Sequence, residues 1–316
     1  MKHIGGFFEL EPESAGSGPL HSEALLLQNG RACLVTMLQA RSPRRAFVPH
    51  YTCDATLDPF RLLGVELVFY GLDPSFLPEQ MPALRQDDVF LYTNHFGLCE
   101  SHVETLTRQI GPQLVVDDTH ALFRGARAGL WSFTSARKYF GVPDGAFLFS
   151  PEAAPEPLAP FEAYSLDHLR LRSEGLQREA FAAYQAYERT LDCRVFGISH
   201  YSRDRLSRID FQAVAARRRR NFLHLDAQLG HLNRLSWSLG DSVPFCYPLL
   251  PTRQVAHEAF YAQGIYPPRL WPDVLRRDAP ATERTWAAEL LPLPVDHRYD
   301  DDDMDRIVRV LAHGSA

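Results

Sequence analysis

The chain has 316 residues, 45% of them hydrophobic and 23% charged, with a formal net charge of −6. That length allows two lobes around a shared core, the composition is that of an ordinary soluble globular protein, and the acidic balance argues against a nucleic-acid binder. Five scattered cysteines without a CxxC pair argue against a disulfide framework and against a zinc site. The opening MKHIGGFFELEPES is too weakly apolar for a signal peptide and no run is long enough to span a bilayer, so a cytoplasmic protein is expected.

Residues 1–20, rich in Gly, Ser, Glu and Pro, read as a surface wrap. Residues 21–40 carry Leu34, Met37 and Leu38 at helical spacing, interrupted by Asn29-Gly30. A glycine just before a helix leaves backbone N–H groups free to hold an anion. Short apolar runs then recur at 46–48, 65–70, 89–92, 114–116, 130–133 and 146–149, with amphipathic helix-length segments at 54–63 and 100–110. This alternation predicts an α/β fold with a mostly parallel sheet, whose functional groups lie beyond the carboxyl ends of its strands. A Pro-rich break at 151–160 precedes a long helical stretch, 165–189. A second, 211–232, contains Arg217 to Arg220, which read as a solvated face with salt bridges ahead of an anion site. Beyond Gly240, short pieces at 245–250, 255–263, 290–294 and 304–311 suggest a smaller α+β lobe. The expected division is a large domain of 1–205 and a small C-terminal one of 206–316.

The chemistry concentrates between Leu114 and Phe149. Asp117 sits where the 114–116 strand ends, and Lys138 follows 21 positions later (138 − 117) within Ser-Ala-Arg-Lys. An acid at a strand end, then a lysine among small and hydroxyl residues, suits pyridoxal phosphate (PLP). The amine forms the Schiff base, and the carboxylate keeps the pyridine nitrogen protonated so that the ring can act as an electron sink. The chain uses arginine almost throughout, so a lysine here reads as chosen, because a guanidinium cannot take that role. Asp118 is eligible as the acid too, and Asp117 is preferred for its strand-end position. Gly30 and Arg31, with Ser132 or Ser135, are the candidates for the phosphate. Tyr51 fits the ring face, and His120 the ring or its phenolic oxygen, with core packing as the ordinary reading of both. His95, Arg253 and Trp271 are further residues that could face the site.

Several segments carry a family resemblance. They are Asn29-Gly30-Arg31-Ala32-Cys33-Leu34, Val48-Pro49-His50-Tyr51-Thr52-Cys53-Asp54-Ala55-Thr56, Val116-Asp117-Asp118-Thr119-His120-Ala121 and Ser132-Phe133 up to Lys138. With Tyr247-Pro248-Leu249, Gly264 to Pro268 and Leu291 to Pro294, their order resembles the DegT/StrS type of PLP-dependent sugar aminotransferases. Arg31 stands where that family usually has Thr or Ser, and Val142-Pro143-Asp144-Gly145 replaces its Gly-rich run. The resemblance implies the type I PLP-dependent transferase fold and a homodimer. It also implies amino transfer from L-glutamate to a nucleotide-linked keto-sugar. The alternatives are another PLP reaction on a sugar, such as dehydration or elimination, and a non-catalytic descendant of the fold.

Overall fold

A computed structural model describes residues 2–12, 16, 18–152 and 158–313, so part of the Pro-rich break lies outside them. The chain begins with β1 (Ile4–Gly5), β2 (Leu25–Leu27) and α1 (Gly30–Arg41). Alternating elements follow: β3 (Arg45–Pro49), α2 (Asp54–Leu62), β4 (Glu66–Tyr70), β5 (Asp88–Thr93), α3 (Glu100–Ile110) and β6 (Leu114–Asp117). Next come β7 (Trp131–Ser135) and β8 (Ala146–Phe149). Seven strands form one sheet in the order β2-β8-β7-β6-β5-β3-β4, in which β8 alone runs against the rest. The strand ending in Asp117 is therefore central, covered on both faces, as its unbroken burial requires.

The second half is mainly helical: α4 (Asp167–Ser173), α5 (Gln177–Glu188), α6 (His200–Ser207) and the long α7 (Phe211–Leu229). The single helix expected over 165–189 is a helical hairpin instead. Gly175, at φ +80°, turns the chain between α4 and α5. The remaining elements are β9 (Cys246–Leu249), α8 (His257–Tyr261), β10 (Ile265–Tyr266), α9 (Ala281–Glu289), β11 (Leu291–Pro294) and α10 (Asp301–His313). β9 and β11 pair antiparallel, while β1 runs parallel to β10, so the first residues of the chain join its C-terminal part.

One hydrophobic cluster is continuous from the sheet (Phe47, Tyr92, Val116) to the C-terminal elements (Phe222, Leu249, Trp286), and position 205 falls inside α6. A second cluster packs α1 and α2 on the other face against Trp131 and Phe133. Among the described residues, no helix is long and apolar enough to cross a membrane, and no cluster of metal-ligating side chains occurs.

The expectation of a solvated arginine face holds for only part of α7. Arg220 binds Asp301 and Arg219 reaches the carbonyls of Ser242 and Gly240, whereas Arg218 is 1% exposed. A four-residue basic run on a helix spans every direction around its axis, so one member must face the core.

Candidate active site

Asp117 and Lys138 come together at the carboxyl ends of the neighbouring parallel strands β6 and β7. Lys138 Nζ donates to Thr119 Oγ1 at 2.9 Å, and Thr119 N donates to Asp117 Oδ1 at 2.9 Å, so a single residue joins the amine to the acid. Asp117 is buried. Desolvation raises its pKa above the usual carboxylate range, opposed by the Lys138 charge and by hydrogen bonds from Thr119. The chain's other lysine, Lys2, lies elsewhere, paired with Asp303 at 2.6 Å.

The geometry separates Asp117 from Asp118. Arg127 holds both oxygens of Asp118 at 2.7 and 2.9 Å, Asn94 adds a third bond at 3.0 Å, and the same guanidinium grips Glu100. Asp118 is thus satisfied inside a structural network, whereas Asp117 faces the amine.

Helix α1 opens beside this pair. The Asn29 side chain caps Ala32 N at 2.9 Å, and no acid lies in the first turn. No described residue accepts from the N–H groups of Gly30 or Arg31, leaving the positive end of the helix open to an anion. A Cβ on Gly30 would lie 3.8 Å from the Thr119 methyl, which puts the helix start against the residue that links acid and amine. The Arg31 guanidinium, in contrast, is directed to Asp58 on α2 at 3.7 Å. What Arg31 presents at the helix start is therefore its backbone.

Strand alternation distinguishes the two serines. Trp131 and Phe133 face the α1 side, so Ser135 faces it too and Ser132 faces away. Ser135 closes β7, in register with Ala146, which in turn pairs with Leu27 just before α1. Ser132 lies back along the strand opposite Val116, buried, its hydroxyl without a partner among the described residues.

His120 is fully buried, and desolvation followed by the Lys138 charge pushes its pKa well below the ordinary histidine value, so the ring is neutral. Phe96 N donates to its Nδ1 at 3.3 Å, which places the remaining proton on Nε2. The ring is sandwiched between Phe245, 4.2 Å away, and Trp271, 5.4 Å away. Tyr51 belongs to the same aromatic cluster, edge-on to Trp271 at 4.5 Å and stacked on His95 at 5.7 Å, with its hydroxyl unpartnered among the described residues. His95 is buried there with its pKa lowered by desolvation to about 3, while Arg253 is exposed. Phe76, Phe96 and Trp271, all in this cluster, take left-handed backbone at φ 71°, 58° and 52°. Such conformations cost about 1–3 kcal/mol each and persist where the surroundings enforce them.

One contributor went unmarked in the sequence. Asp144, in the turn after the lysine, accepts Ser199 N at 2.7 Å and Ser199 Oγ at 2.6 Å and also binds Ser202 Oγ; Tyr187 OH donates to Pro143 O at 3.0 Å. These bonds tie the Val142–Gly145 turn to α5 and α6. No local pattern marks them, because the partners are more than 40 positions away.

The residues present fit pyridoxal phosphate. A buried acid needs a cation, an amine stands beside it, and an open helix start lies against Thr119, the residue that links the two.

No family model matches the sequence, and no curated protein matches it either. Solved structures do resemble the fold. The DegT DnrJ EryC1 StrS aminotransferase from Brucella abortus superposes with a TM-score of 0.65 at 16% identity, covering 92% of this chain and 85% of that one. The aminotransferase TlmJ from Streptoalloteichus hindustanus gives 0.67 at 14% identity, covering 98% of both chains. DesV from S. venezuelae gives 0.62 at 15%, covering 94% and 86%. The chain therefore has the mixed α/β fold of the DegT/StrS-type aminotransferases.

Proposed function

We propose that this protein is a PLP-dependent aminotransferase acting on a keto-sugar, with an amino acid such as L-glutamate as donor. The observation that carries the reading is the Lys138–Thr119–Asp117 chain of hydrogen bonds at the ends of two adjacent central strands. The bound cofactor would supply an electron sink for the carbon that gains or loses nitrogen. The chain's residues do the rest. Lys138 Nζ is the covalent anchor and, once displaced, the base that takes and returns the proton at the substrate carbon. Asp117 holds positive charge on the ring nitrogen, since its buried carboxylate is otherwise disfavoured. The N–H groups of Gly30 and Arg31, with the Ser135 hydroxyl, take the phosphate. His120 Nε2–H and the Tyr51 ring bound the ring's surroundings. The solved relatives in fold include a sugar aminotransferase, CalS13 from Micromonospora echinospora, and DesI with its TDP-sugar product, which supports a sugar acceptor. A homodimer is part of this reading.

The test is spectroscopic. Purified protein with PLP should show a visible absorbance band that changes when L-glutamate is added, and Lys138→Ala should lack that band. A colourless wild-type protein at saturating PLP would sink the proposal.

A further inference from the structure

Thr119 presents three groups to the site, and each meets a different part of it. Its N–H donates to Asp117 Oδ1 at 2.9 Å, its Oγ1 accepts from Lys138 Nζ at 2.9 Å, and its methyl lies 3.8 Å from where a Cβ on Gly30 would stand. The backbone on either side is pinned independently of the amine. Asp117 O accepts Asn94 N at 3.0 Å, and Asp118 N donates to Phe133 O at 2.8 Å. With its methyl against α1, a β-branched side chain has little choice of rotamer, so the fold itself sets where the hydroxyl stands. At 6% exposure that hydroxyl is costly to bury unbonded, and Nζ is the one hydrogen-bond partner it has among the described residues. A valine would fill the same space without that cost.

Lys138 makes no other hydrogen bond among the described residues. Asp296, on the wall of the cavity that Lys138 and Arg218 both line, is held by Arg298 at 2.7 and 3.1 Å and is paired with the Arg218 charge as well. His120 carries its proton on Nε2 and offers that nitrogen only as a donor. Asp117, in the proposed reaction, is engaged with the ring nitrogen. Once released from the cofactor, an amine on a flexible four-carbon stem therefore has one fixed oxygen to hold it.

We propose that Thr119 is a positioning residue for the proton transfer, holding the displaced Lys138 amine through Oγ1 while that amine works at the donor's amino carbon. The inference rests on the reading of Lys138 given above. In that step the C–H bond breaks, its proton passes to Nζ, and the electron pair remains at the carbon for the cofactor to draw off. The amine becomes an ammonium, and a hydrogen bond from a charged donor is roughly twice as strong as one from a neutral donor. Thr119 thus holds the amine more tightly as the proton arrives than before, which raises the rate of the step and not the affinity for substrate.

The test uses the full-length protein with Thr119→Val, which keeps the shape and the N–H and loses the hydroxyl, and Thr119→Ser, which keeps the hydroxyl. Lys2 and Lys138 are the only lysines in the sequence, so isotope-labelled lysine gives two Cε signals in NMR, and Lys138→Arg identifies which is which. Without cofactor, the order parameter of Lys138 Cε should be high in wild type and Thr119→Ser and drop in Thr119→Val. A wild-type Lys138 as mobile as in the denatured chain overturns the inference without needing a variant that folds, and so does an unchanged order parameter in Thr119→Val. With PLP, both variants should keep the visible band, and its loss in Thr119→Val would make Thr119 a cofactor-holding residue instead. On rapid mixing with L-glutamate, the spectral change should slow at least about tenfold in Thr119→Val, at an unchanged half-saturating concentration, and less than about threefold in Thr119→Ser. Deuterium at the glutamate α-carbon should slow Thr119→Val at least as strongly as wild type. A rate within about twofold of wild type in Thr119→Val, or disappearance of its deuterium effect, overturns the inference. A wild type without the band refutes the proposed function and the proton-transfer role with it, while the order parameters still report whether Thr119 holds the amine.

Discussion

Asp117→Asn separates two effects of opposite sign. The amide keeps the Oδ1 that accepts the Thr119 N–H at 2.9 Å and removes the charge. Without cofactor, burial makes that carboxylate unfavourable, and Lys138 offsets only part of the cost, since the pKa stays raised. The variant should therefore be more stable than wild type, by about 1–2 kcal/mol. The sign with pH follows from the same shift. An acid with a raised folded pKa carries no penalty at low pH and destabilises the fold as pH rises through that pKa. The melting advantage should be present near about pH 8 and vanish toward about pH 3. With cofactor the order reverses. Loss of a charge-assisted bond to the ring nitrogen costs about 1.5–3 kcal/mol, or roughly 10- to 150-fold in affinity. Thermal melts across pH, with and without PLP, and an absorbance titration measure both halves. An Asn variant that binds PLP as tightly as wild type, or melts lower than wild type without cofactor at about pH 8, would refute the reasoning.

Ser135→Ala should weaken PLP about tenfold in the same titration, with Ser132→Ala unchanged, because only Ser135 shares the α1 side of β7; equal losses would contradict that placement. Gly97→Ala puts a Cβ 2.3 Å from His120 O at a backbone φ of +71°, so it should cost more than about 2 kcal/mol in chemical denaturation and disturb the cofactor band. Burial pushes the Glu283 carboxyl up to about 7, with Oε1 accepting Leu72 N at 3.1 Å. Wild type should lose stability, by up to about 3 kcal/mol, as pH rises from the ordinary carboxylate range through that value, and Glu283→Gln should flatten this slope in denaturant melts across pH.

Much of the molecule was legible before any coordinates. The six strands from β3 to β8 follow from apolar runs between turn residues, and α2 and α3 from helical spacing, because burial on one or both faces imposes a local period. The acid at the end of β6 and a lysine in an arginine-rich chain stood out for the same local reason. Other features depend on partners far away in the sequence. β1 is two residues long and exists only through β10, some 260 positions later (265 − 4). The helical hairpin at Gly175 looked like one helix because a single glycine is tolerated in a helical pattern.

By itself, the sequence determined the layered sheet, the strand ends where chemistry collects, and the pairing of an acid with a rare amine, since periodicity and residue type are carried by neighbouring positions. Tertiary structure decided which groups face each other. It gave Asp118 to Arg127 and left Asp117 to Lys138, put Ser135 on the α1 side, turned Arg31 toward Asp58, and buried one arginine of four beside the amine. Those outcomes depend on which long-range partner satisfies a buried charge, and no local pattern encodes that.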